Sequence, residues 1–143
     1  MNLRDVIPTA ENSSNFNVVP ESITEVGTTL ENLKAAVCGE TGASAKYAAC
    51  AAAAKEQGFD QIARLFEATS AAEQIHIGLE AGVIAEIEPG YERPAAPEAE
   101  GIATDLNLIA GALGEIYETS DMYPSFIKVA QEEGNKKAEF VFT

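Results

Sequence analysis

The feature that most constrains this chain is that its second half repeats its first. Displacing the sequence by 75 residues sets "TLENLKAAVCGE" (29–40) on "TDLNLIAGALGE" (104–115), with six of twelve positions identical. A slip of one further residue sets "EQGFDQIARLF" (56–66) on "EEGNKKAEFVF" (132–142), matching Glu, Gly and Phe. Self-similarity at this period means one supersecondary unit used twice. The unit is helical. Thr28-x-x-Glu31 is a capping-box pattern, and the Ala-rich run behind it predicts a helix over about 29–57, stopped by Gly58. Asp60 can cap a second helix over about 61–87, which Pro89-Gly90 ends. Thr104 opens the third, which runs to Gly134 with a kink expected at Pro124, where a backbone donor is missing. "NKKAEFVFT" starts a fourth helix that stops after barely two turns.

Between the hairpins, "EPGYERPAAPEAEG" (88–101) combines three prolines with a run of glutamates and predicts an exposed linker over 88–102. Residues 1–27 show no apolar period and predict an extended or disordered arm, leaving 28–143 as the folded domain. Two helical hairpins joined by a long crossover predict an all-α, ferritin-like four-helix bundle: three helices plus the start of a fourth. Three and a fraction amphipathic helices leave an apolar groove uncovered, which predicts a homodimer, with hairpins paired or swapped between two chains.

Charge narrows the partners. With 23 acidic against 9 basic residues, the formal charge of −14 repels nucleic-acid phosphates and anionic lipid alike. No apolar stretch is long enough to cross a bilayer, and no apolar leader follows Met1, so a cytoplasmic protein is expected. Cys38 and Cys50 are twelve residues apart on one predicted helix, about 18 Å along its axis, too far to bridge. Neither belongs to a Cys-x-x-Cys pair, so both are expected to be small buried residues.

Polar residues interrupt each apolar stripe near its middle. The first helix presents Leu33, Ala36, Val37, Glu40, Ala43, Tyr47, Ala51 and Ala54 at spacings of three and four. The second presents Ile62, Phe66, Thr69, Glu73, His76 and Val83, and the third Leu108, Gly111, Glu115, Glu118, Met122 and Val129. Taking an ionised carboxylate out of water costs several kcal/mol, so a cluster of them inside a bundle calls for compensating positive charge. A metal pair supplies it, and carboxylates with imidazole suit iron or manganese. Glu73-x-x-His76 alone is a weak signal. It gains weight from Glu40 and its repeat counterpart Glu115, each preceded by Gly at the same point of the stripe. The repeat also predicts a second Glu-x-x-His near 149 and 152, beyond Thr143, so the fourth helix reads as truncated.

The stretches "TLENLKAAVCGETGASAKY", "GFDQIARLFEATSAAEQIH", "GEIYETSDMYPSFIKVAQEEG" and "KKAEFVF" together resemble the ferritin-like domain of the rubrerythrin and erythrin family over about residues 28–143. The Glu-Ile-Tyr-Glu and Met-Tyr-Pro pieces are the most discriminating. The resemblance implies a non-haem di-iron site, open to manganese or zinc substitution, with Glu40, Glu73, Glu115 and Glu118 as carboxylate ligands. It implies that His76 exchanges with Glu118 as ligand on redox change, and that Tyr47 and Tyr123 hydrogen-bond ligand carboxylates. It further implies reduction of hydrogen peroxide with electrons from an external donor such as rubredoxin, protecting against oxidative stress. Two other readings stay open: an iron-binding, ferroxidase-like protein with a symmetric site at a dimer interface, and a metal-free helical interaction protein.

Overall fold

The computed structural model describes residues 22–143, and the expected arm over 1–21 lies outside the described residues. The regular elements among the described residues are all helical: α1 (Thr29–Glu56), α2 (Asp60–Ile87), α3 (Thr104–Tyr117), a π-helical turn (Glu118–Met122), α4 (Tyr123–Glu132) and α5 (Lys136–Phe142). Thr28 caps α1 by accepting from the Glu31 amide, as its motif requires. Asp60 and Thr104 instead occupy the first helical positions, behind Phe59 and Ala103, whose side chains make no capping bond. The carboxyl-terminal stops at Gly58, Gly90 and Gly134 all have positive φ, between 72° and 88°, conformations that side chains with a Cβ resist.

A connection of three residues, 57–59, folds α2 back along α1, as the Ser44–Ser70 and Lys34–Glu88 contacts show. The chain then crosses over without regular structure until Thr104. The helices form the all-α, ferritin-like bundle that the repeat predicts. Burial falls into two apolar clusters. One end gathers Leu33, Val37, Ile77, Ile84, Phe126 and Phe142. The other packs Tyr47, Cys50, Ala51 and Phe66, with Ile62 and Leu108 against them. Glu40 on α1 and Glu73 on α2 lie between these clusters in sequence. Apolar burial on both sides therefore carries them into the interior, where they are 1% and 2% exposed.

Two expectations need correction. Cys50 is buried, but Cys38 faces solvent, because it sits one position past the buried Val37 and off the core stripe of α1. The long third helix does not merely kink at Pro124. It opens into a π turn over Glu118–Met122, closed by the Tyr123 amide donating to the Glu118 carbonyl, and Pro124 falls in the first turn of α4. The extra residue shifts everything downstream. In an unbroken α-helix Tyr123 would lie about 80° round the axis from Glu115. With one residue absorbed by the π turn it falls at the heptad place, within about 20°. The inward stripe after the turn is accordingly Tyr123, Phe126 and Ala130; Met122 also packs, partly buried, against this core, whereas Val129 lies outside it.

Candidate metal centre

Glu40, Glu73 and His76 bring one ligand atom each within 4.8 Å of one another, and Glu73, Glu115 and Glu118 do the same. All five sequence-predicted metal residues thus converge on two groups that share Glu73. The i, i+3 spacing on α2 puts Glu73 and His76 one turn apart on one face, with His76 Nδ1 at 3.2 Å from Glu73 Oε2 and 3.7 Å from Glu40 Oε1. The imidazole itself is half exposed, so His76 stands at the rim of the group rather than in the core.

Both predicted tyrosines reach the carboxylates. The Tyr47 hydroxyl donates to Glu115 Oε1 at 2.6 Å, and the Tyr123 hydroxyl lies against Glu40 Oε1 and, at 2.9 Å, Glu80 Oε1. Gly111 makes room for the first of these: a Cβ there would lie 3.2 Å from the Tyr47 ring. Glu80 is the residue that sequence reasoning missed. It is fully buried, one heptad beyond Glu73 on α2, and that spacing was the available signal.

The electrostatics record a crowd of like charges. Burial raises the Glu80 carboxyl to about 8, against a lowering by the Tyr123 hydrogen bond, with the Glu40 and Glu118 charges adding to the rise. Burial also raises Glu118 to about 8, helped by Glu40 and Glu115. Glu73 is pushed well above the usual carboxylate range, first by burial, then by its hydrogen bond and charge contact with Glu40. Tyr47 and Tyr123 are held protonated by burial and by the same carboxylates. Compensating cations are placed elsewhere among the described residues: Lys34 pairs with Glu88, Lys136 with Glu139 and Lys137 with Glu86.

A metal pair fits this donor set. Hard carboxylate oxygens with one imidazole are the ligands that iron and manganese take, and Glu40 Oε2 is buried without a hydrogen-bond partner, as a lone pair reserved for a cation would be. The two groups sharing Glu73 provide a non-haem di-metal site of the di-iron kind.

Known proteins agree with this reading of fold and site. The rubrerythrin family model matches residues 31–143. Nigerythrin of Nitratidesulfovibrio vulgaris is 65% identical over 143 residues, covering all of this chain and 71% of that protein. Rubrerythrin of the same organism is 36% identical over 116 residues, covering 80% of this chain and 59% of that protein. The chain therefore spans well under two thirds of that rubrerythrin. Structures of nigerythrin in its fully reduced, all-ferrous state and in a partially reduced state each superpose on the whole chain with a TM-score of 0.87, at 65% identity and over 71% of their own length. With the bundle, the paired carboxylate groups and these matches in hand, the chain belongs to the rubrerythrin family.

Proposed function

We propose that this chain is the di-iron domain of a peroxidase that reduces hydrogen peroxide to water in the cytoplasm. The observation that carries the proposal is the pair of ligand groups joined through Glu73 inside one chain. Glu40, Glu73 and His76 would hold one ion, and Glu73, Glu115 and Glu118 the other. A ferrous pair held by these residues would supply the two electrons for cleavage of the peroxide O–O bond, with two protons completing two water molecules and an external donor such as rubredoxin restoring the electrons. Tyr47 and Tyr123 orient Glu115 and Glu40 through their hydroxyls, which fixes which carboxylate oxygen is left for the metal. The apolar clusters on either side bury Glu40 and Glu73, while His76 keeps the layer open to solvent at its rim. His76, half exposed beside Glu73, would be the donor able to approach or leave an ion held there, in exchange with Glu118. The remaining coordination positions fall to water, to a continuing fourth helix, or to a second copy in a homodimer.

The test is anaerobic loading with ferrous iron, followed by iron analysis and peroxide consumption by the reduced protein. Two irons per site with turnover is the expected result, and fewer than two sinks the proposal. Glu73→Ala should abolish metal uptake. If Glu115→Ala and Glu118→Ala leave iron content intact, the symmetric, ferroxidase-like interface site is the better reading. A metal-free interaction protein would show a thermal midpoint that chelators do not move.

A further inference from the structure

The polar contacts outside the carboxylate layer concentrate on one residue, Asp121, in the middle of the π turn. Its carboxylate is 7% exposed and takes hydrogen bonds from the Ser22 hydroxyl, the Ile23 amide (2.8 Å), the Thr24 hydroxyl (2.9 Å) and the Ser125 hydroxyl (3.3 Å). Thr24 also meets the Tyr117 hydroxyl at 3.0 Å, one residue before the turn. Three of Asp121's four donors come from a non-helical strap, Ser22–Gly27, almost one hundred positions away in sequence. The strap is pinned at its other end, where the Gly27 amide donates to the buried side chain of Asn32 at 2.8 Å. Its apolar side chains do not explain its course: Ile23 is 78% exposed and Val26 53%. Hydrogen bonds to the π turn are what hold it.

A π turn closes wider rings than the α-helix around it and survives where its surroundings favour it. Here it has a consequence for the metal centre, since it begins at Glu118 and sets the register that brings Tyr123 to Glu40 and Glu80. We propose that Asp121, Ser22 and Thr24 are positioning residues of the di-metal site: the strap clamps the π turn from outside, and the clamped turn places Glu118 and Tyr123. This rests on the metal reading above, and it adds a part of the chain that touches no ligand.

The test compares wild type, Thr24→Val, which keeps the shape of the side chain and removes its hydroxyl, Thr24→Ser, which keeps the hydroxyl, and Ser22→Ala/Thr24→Val. Each is followed by amide hydrogen exchange at residues 118–123 and by the visible spectrum of the protein loaded with cobalt(II) alone, with circular dichroism as the check on folding. Expected are exchange at the π turn faster by about tenfold in the double variant, an altered cobalt spectrum, and wild-type behaviour restored in Thr24→Ser. Unchanged exchange at the turn would overturn the clamp. So would faster exchange with an unaltered cobalt spectrum, because the strap would then be structural only. Should the double variant not fold, Thr24→Val carries the same two readouts. Wild-type protein that takes up no cobalt overturns the metal reading, and the exchange data then still decide separately whether the strap holds the turn.

Discussion

Between Glu40 and Glu80 stands one phenolic proton, that of Tyr123, with two carboxylates within its reach. A single donor satisfies one charged oxygen at a time, and Glu80 Oε2 has no hydrogen-bond partner at all. Burial, with the Glu40 and Glu118 charges adding to it against the Tyr123 hydrogen bond, raises Glu80 from the ordinary 4.5 to about 8 and keeps it largely protonated at neutral pH. The sign of the linkage follows. A carboxyl raised in the folded state stabilises the fold fully below its unfolded value and loses that contribution as pH rises through the folded one. Metal-free protein should be most resistant to heat near about pH 5 and weaken steadily to about pH 9. Glu80→Gln, which keeps the neutral shape, should flatten that decline. Thermal midpoints measured across this range check it, and an equally steep decline in the variant would count against it. Tyr123→Phe leaves both carboxylates short of their donor and should cost about 1–3 kcal/mol in denaturant titration.

The crossover, though free of regular structure, is fitted closely to α1. At Gly101 a Cβ would lie 2.6 Å from the Ala49 carbonyl oxygen and 2.6 Å from the Ala53 Cβ, so backbone would have to give way. Gln57 fastens the same place, accepting from the Thr104 amide at 3.0 Å and donating to the Ile102 carbonyl at 2.9 Å. Gly101→Ala should thus destabilise by about 1–3 kcal/mol, the range for forcing extra atoms into packed structure, whereas Gly58→Ala acts only through its positive φ. Equilibrium unfolding of the two variants separates the effects. The long glutamate- and proline-rich linker reads from sequence as a mere spacer, because composition reports exposure along most of its length and is silent on one glycine's close approach.

For the molecule as a whole, charge is the organising quantity. A chain of formal charge −14 buries Glu40, Glu73 and Glu80 in its middle layer, and metal binding is the event that relieves them. Cations that bind only the folded state stabilise by mass action, about 2.7 kcal/mol at a free concentration one hundred times the dissociation constant. For a domain of this size that is roughly 5–10 °C in thermal midpoint, reversed by a chelator. Because metal must displace protons from raised carboxyls such as Glu73 and Glu118, uptake should tighten as pH rises, releasing protons measurable by titration calorimetry in buffers of different ionisation enthalpy. No difference between buffers would mean that these carboxyls are already ionised.

The helical stretches, their stops at Gly58, Gly90 and Gly134, the bundle, and the convergence of Glu40, Glu73, His76, Glu115 and Glu118 were legible in the chain itself, though not the division of the third stretch into two helices. They rest on local chemistry and on a period of 3.6 residues, both of which a sequence carries. Glu80, a heptad beyond Glu73, and Cys38, off the core stripe of α1, had helix spacing as a signal; the π turn and the strap on Asp121 were decided only in three dimensions. The α-helical period extrapolates past Glu118 to Met122, which does pack against the core, and to Val129, which does not; one extra residue in the turn brings Tyr123, Phe126 and Ala130 inward. Pro124 marks a break in the helix locally but not the inserted residue, which is held in part by hydrogen bonds from Ser22, Ile23 and Thr24, residues that only the folded chain brings beside it.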